Sequence, residues 1–325
     1  MARISEAESG VMAMCAGVSG LDCMSAQGLP EILVQTRYCY MLALHLRNYR
    51  AAVKPRLILL LALLLSPSLF AAPSAQYWAE WDRSDELNPA TIDHGSWDGL
   101  LRKYVVVRHK SGINRFRYGE VSPADKALLD SYIEATAAID PRAYSRAEQL
   151  AYWINLYNAL TVKLVLDHYP VTKVNSIQVA GADASDGPWS AKLVKVAGTE
   201  LSLDDIQHRI LRPIWKDYRV LFGLACAGLD CPDIQPEACT GPNSRELLSN
   251  AGRDFINSDR GVSIAGTKGP LRASSIFDWY ESDFAADHKA LLKLFAHYAE
   301  DRKALYLLGY TGDIQYHQDW TLNAP

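Results

Sequence analysis

Residues 150–165 are apolar on nearly every side of a helix, and a helix of that kind can exist only inside a shell of other elements. The segment opens on a capping box, Ser145-Arg146-Ala147-Glu148, and Pro170 stops it, so one long buried helix is expected over 145–169. The rest of the chain supplies material for the shell. Trp97, Leu100, Leu101 and Tyr104 recur at helical spacing over 97–105. Ser122-Pro123-Ala124-Asp125 caps a second helix that ends before Pro141. Residues 192–196 read as a short strand before a Gly198-Thr199 turn, and Ser202-Leu203-Asp204-Asp205 caps a helix to about residue 211. The apolar run 220–225 fits a strand or a buried helix equally well. Helices are expected over 243–257, 275–279 and 287–299, and a hairpin over 262–273 around Gly266 and Gly269-Pro270. No internal repeat and no Gly/Ser or Pro-rich linker divides this stretch. The expectation is an α+β fold, a helix-rich single domain over 76–325 with a few short strands and a hairpin; residues 76–96 read as an irregular lead-in.

The start of the chain obeys a different logic. Residues 57–65, L-I-L-L-L-A-L-L-L, follow Arg50, Lys54 and Arg56 and precede Ala71, Ala72, Ser74 and Ala75. The run is too short for a bilayer span, which needs about 20 residues. Basic flank, short apolar run and small residues together make a signal peptide over 53–75, with the mature chain beginning between about residues 70 and 77. An uncleaved anchor is the alternative. Residues 1–52 read as an upstream extension, translation starting further in, at Val53 if its codon is GTG. The expected location is exported, periplasmic or secreted, with no membrane span left after signal cleavage. Net charge of −4 and the lack of a dense basic run in the folded part exclude nucleic acid as a partner.

Export places Cys226, Cys231 and Cys239 in an oxidising compartment, where disulfides persist. Three is odd, so one pair and one free thiol are expected. Pairing of Cys231 with Cys239 would close a short loop and leave Cys226 free. Cys226 ends the apolar run from Val220 and precedes Ala227-Gly228, a setting in which a nucleophilic thiol is often presented; a disulfide or a small buried thiol is the structural alternative. His208 lies four residues after Asp204, so the carboxylate can orient the ring and raise its pKa as a general base needs, or the two form an ordinary surface pair. Asn155 and Asn158 share one side of the long helix and must be hydrogen-bonded there. They pin a neighbouring loop or, in the catalytic reading, orient the reacting groups. A zinc site from His208 and the three cysteines matches no common ligand spacing, so no metal and no cofactor are expected.

The motifs L-A-Y-W-I-N-L-Y-N-A-L (150–160), Tyr169-Pro170-Val171, L-S-L-D-D-I-Q-H-R-I-L-R (201–212), C-A-G-L-D-C-P (226–232), I-F-D-W-Y-E-S-D-F (276–284) and D-W-T-L-N (319–323) resemble the domain of unknown function 547. The resemblance runs from about residue 97 to 323. It implies a helix-rich α+β domain of the kind found in exported bacterial proteins and at the C-terminus of some plant proteins, and no established activity. The family stretch before the first cysteine reads R-x-H-F-A-L-x-C; Arg219, Phe222, Leu224 and Cys226 fit it, while Leu221 stands at the histidine position. If that histidine is the family's base, this chain has lost it; if the base is the histidine of L-S-L-D-D-I-x-H, His208 retains it. Plant relatives keep the first cysteine and often replace the second by Ser, which favours Cys226 as the functional thiol.

Two functional readings follow. In the first, a cysteine-dependent hydrolase or acyltransferase of the cell envelope uses Cys226 as nucleophile, His208 as base and Asp204 or Asn155 as orienter. In the second, a non-catalytic envelope domain binds a peptide, glycan or protein partner. Whether Cys226 and His208 meet in a cleft discriminates between them.

Overall fold

A computed structural model describes residues 74–107, 109–182, 187–266 and 269–325. The expected signal peptide over 53–75, apart from its last two residues, and the expected extension over 1–52 lie outside the described residues.

The long helix is the centre of the domain. Helix α3 (Arg146–His168) buries every residue from Ala151 to Val162, and Trp153 sits edge-on between Trp81 and Tyr152 at ring-centroid distances of 5.2 and 4.9 Å. Three helical elements pack on it: α2 (Pro123–Ala137), a π-helical segment (Asp205–Leu211) that runs into α4 (Arg212–Trp215), and α5 (Ser244–Asn257). Helix α1 (Gly95–Tyr104) joins the shell through α2. The fold is helix-rich α+β, as the sequence implies.

The capping residues explain where these helices start. Ser145 Oγ accepts from Glu148 N, but Glu148 does not complete the reciprocal box: its carboxylate accepts from the Ile92 amide at 3.0 Å instead. The side chain therefore ties the lead-in to α3 rather than closing its own cap. Replacing Ser145 with Ala is expected to cost about 1 kcal/mol, measured as a lowered urea midpoint. A full box does form at residues 202–205, where Ser202 Oγ accepts from Asp205 N and Asp205 Oδ2 accepts from Ser202 N at 2.9 Å.

The strands are short, and their pairs contribute buried residues such as Phe116, Val196, Leu201, Val262 and Leu271 to the core. β1 (Val105–Val106) pairs with β2 (Arg115–Phe116), and β3 (Val194–Val196) with β4 (Thr199–Leu201), both antiparallel. The expected hairpin is β5 (Val262–Ile264) with β6 (Leu271–Ser274). A further strand, β7 (Ile314–His317), adds to β6 in parallel after helices α6 (Ile276–Trp279), α7 (Glu281–Phe284), α8 (His288–Tyr298) and α9 (Asp301–Gly309). The ambiguous run 220–225 is neither strand nor α-helix: a 3-10 helix covers Tyr218–Gly223, and Leu224 is extended. No helix of the described residues is long and apolar enough to cross a membrane.

Candidate functional site

The segment after the 3-10 helix is held from behind by α3. Asn158 Nδ2 donates to Gly223 O at 2.8 Å and its Oδ1 accepts from Ala225 N at 2.9 Å. One turn away, Asn155 Nδ2 donates to Cys239 O at 2.6 Å and its Oδ1 accepts from Cys239 N at 3.0 Å. Each buried amide thus both donates to and accepts from the backbone of one loop. Asn155 is a loop anchor and does not orient His208.

From Ala225 the chain turns sharply. Ala227 takes a φ of 61°, in the left-handed region, and residues 227–230 lie against the C-terminal segment: Asn323 N donates to Ala227 O, Leu229 N to Thr321 O and Asp230 N to Asp319 O. Arg260, buried, donates to Leu229 O and pairs with Asp233 at 2.7 Å, fastening the far side of the loop. The turn brings the Cα atoms of Cys226 and Cys231 to 5.8 Å, and these two cysteines form the disulfide. The expected Cys231–Cys239 pairing is therefore corrected. Cys239 is the free thiol; its backbone is fastened to Asn155, and burial pushes its pKa up to about 12, which leaves it inert.

His208 lies on the π-helical segment, buried against the Tyr280 ring. Its Nε2 is 3.6 Å from Asp204 Oδ1, as the spacing suggested. Its Nδ1, however, is 2.9 Å from Arg212 Nη1. A guanidinium can only donate, so Nδ1 is the unprotonated nitrogen and the ring proton sits on Nε2. Arg212 in turn donates through Nε to Asp283 Oδ2 at 2.6 Å and lies over the Tyr280 ring. Burial, and then the neighbouring Arg212 charge, lower the His208 pKa to about 3, and the Asp204 carboxylate does not offset them. The expectation of a raised pKa and an available base at His208 is corrected on both counts. The lone pair is occupied, and the other nitrogen is a donor.

This shift has a consequence for stability. The folded-state pKa lies below the ordinary value of 6.5, so the unfolded chain takes up the proton first. The stability contribution is complete above pH 6.5 and drains away as pH falls toward 3. His208→Gln, which keeps an acceptor for Arg212, is expected to reduce the loss between pH 6.5 and 5 by about 2 kcal/mol. Urea unfolding of both proteins at the two pH values measures it.

Arg212 and Asp283 also line a cleft of about 670 Å³, together with Tyr77, Asp217, Tyr218 and Leu221. Leu221 thus presents an apolar wall where the family pattern would place an imidazole. The cleft carboxylates are already engaged: Asp283 by Arg212, Asp217 by Arg219, and Asp82 by Arg146 and Tyr77. Sequence reading missed Arg212, Asp283 and Tyr280. A usable signal was the arginine four residues after His208, on the same helical face as Asp204 is four residues before it.

The four candidate residues do not form one constellation. The sulfur of Cys226 is bonded to Cys231, the free nitrogen lone pair of His208 is taken by Arg212, and Asn155 serves Cys239; no hydrogen bond joins His208 to Cys226. Among the described residues no group of three or more His, Cys, Asp or Glu side chains is arranged to hold a metal ion.

Residues 141–256 match the family model described as protein of unknown function, DUF547. That segment belongs to the family. The DUF547 match takes in α3, the His208–Arg212 pair and the disulfide loop, and ends within α5. It leaves out α7, which supplies Asp283, and the C-terminal segment that braces the disulfide loop. No curated protein and no solved structure matches the chain.

Proposed function

We propose that this DUF547 domain is a non-catalytic binding domain of the cell envelope, and that the cleft beside Arg212 receives an extended peptide segment of a partner. The observation that carries the reading is the Arg212–His208 hydrogen bond, which occupies the imidazole lone pair that a cysteine-dependent hydrolase or acyltransferase would need. The cleft volume lies in the range that holds a small ligand or a few residues of chain. Its walls combine tyrosine and aliphatic side chains with carboxylates that already have cationic partners, so a ligand of low net charge fits better than a polyanion or a polycation. Lys216, exposed at the rim, has no ion pair among the described residues and suits a single carboxylate of such a ligand.

The test uses the exposed rim residue Ser282, which can be enlarged without disturbing the core. In a fluorescence-polarisation screen with a library of dye-labelled hexapeptides, the native protein should select a subset, and Ser282→Arg should weaken the best of them by about tenfold or more. Equal binding by the two proteins, or no selection at all, rejects the cleft as the site. The envelope location rests on the apolar run 57–65 and its flanks. N-terminal sequencing of native protein should find a start between about residues 70 and 77; a membrane-bound product that retains residues 57–65 argues for an anchor.

A further inference from the structure

The disulfide loop has a polarity that a structural staple does not need. Cys226 is half-buried, whereas Cys231 is 3% exposed. Thiol–disulfide exchange requires an incoming thiolate to reach one sulfur while the other departs. Access therefore designates Cys226 as the sulfur attacked and Cys231 as the leaving group. Gly228 packs closely on the disulfide: a Cβ at that position would lie in van der Waals contact with both sulfurs, 3.4 Å from Cys226 Sγ and 3.5 Å from Cys231 Sγ.

The surroundings of Cys231 fit a leaving group. Gln318 Nε2 lies 3.9 Å from Cys231 Sγ, a donor placed where a departing thiolate would gather negative charge. Gln318 Oε1 is buried with no hydrogen-bond partner among the described residues. A rotation of the amide would let a Cys231 S–H donate to that oxygen, so the reduced form satisfies a polar atom that the oxidised form leaves unpaired. Cys239, by contrast, is 2% exposed and has no disulfide partner.

We propose that Cys226 and Cys231 are a redox-active pair that accepts two electrons from an exposed peptide or protein dithiol. A donor thiolate attacks Cys226 Sγ; the new S–S bond forms as the Cys226–Cys231 bond breaks, and the electron pair leaves on Cys231, which takes a proton from solvent. The second donor thiolate then attacks the donor sulfur of the mixed disulfide and releases Cys226 as a thiolate, which is protonated. The donor dithiol is oxidised to a disulfide, and the protein disulfide is reduced to two thiols. This activity is separate from peptide binding in the cleft, and neither depends on the other.

The experiment is a timed alkylation of the native protein in dithiothreitol without denaturant, read by peptide mass mapping. Cys226 and Cys231 should become alkylated about a hundredfold faster than Cys239. In parallel, Cys231→Ser incubated with oxidised glutathione should form a mixed disulfide at Cys226, whereas folded Cys226→Ser should form none at Cys231. Reduction of the native disulfide only in step with labelling of Cys239 overturns the proposal, because the bond then opens through global unfolding. Equal glutathionylation of the two variants overturns the assigned roles. The native-protein arm stands even if a variant fails to fold, and neither outcome bears on the peptide screen with Ser282→Arg.

Discussion

Arg212→Met is expected to destabilise the domain by about 3 kcal/mol, the low end of the range for breaking a buried charge pair. The Arg212 side chain is 3% exposed and bridges His208 to Asp283, so its loss strands a carboxylate and an imidazole nitrogen together. Asp283 keeps 22% of its side-chain exposure, and water reaching it holds the cost near that low end. The thioether fills much of the vacated space, which limits any cavity contribution. A second readout separates the electrostatic role from packing. Removing the neighbouring positive charge should move the His208 pKa up from about 3, while burial, the larger cause, keeps it below 6.5. Urea unfolding and an NMR titration of the ring measure the two effects. A loss under about 1 kcal/mol would contradict the bridge as the organiser of the cleft wall.

Asn158→Leu is expected to cost a similar amount, about 3 kcal/mol, because it orphans two buried backbone groups at once. Gly223 O loses its donor and Ala225 N its acceptor, directly before the disulfide loop. Leucine keeps the branched heavy-atom skeleton but its methyl groups are bulkier than the amide, so overpacking adds to the lost hydrogen bonds. Thermal unfolding gives the size of the loss. Faster native-state exchange of the Ala225 amide would locate it at the loop. A variant as stable as the native protein would mean that the loop is held by its other anchors, Arg260 and the segment 319–323.

The parts of this architecture that the sequence reveals are those decided locally. Helix α3 is legible because a run with no polar side can only be central, and its ends are marked by Ser145 and Pro170. The β5–β6 hairpin is marked by Gly269-Pro270 between the segments V-S-I (262–264) and L-R-A (271–273), each with apolar residues at its ends. The anchoring role of Asn155 and Asn158 follows from amides set into an apolar helix, though the loops they hold could not be named. Long-range choices left weaker traces. β7 pairs in parallel after four helices, and Ile314–His317 is too short and mixed to announce itself. The disulfide partner of Cys231 was misread because the deciding feature is a left-handed turn at Ala227, and alanine gives no local signal for it. His208 has Asp204 on one side and Arg212 on the other at equal spacing. Only its burial against Tyr280 decides that Arg212 and desolvation outweigh the carboxylate.

The availability of Cys226 separates a binding domain from a cysteine enzyme. The most direct measurement is alkylation of native protein by iodoacetamide at pH 6 without reductant, followed by denaturation, digestion and mass mapping. The account predicts no label on Cys226, a Cys226–Cys231 linked peptide, and Cys239 modified only after unfolding. Rapid labelling of Cys226 in the folded protein, with a rate advantage lost in His208→Ala, would contradict it and restore the thiol–imidazole catalyst.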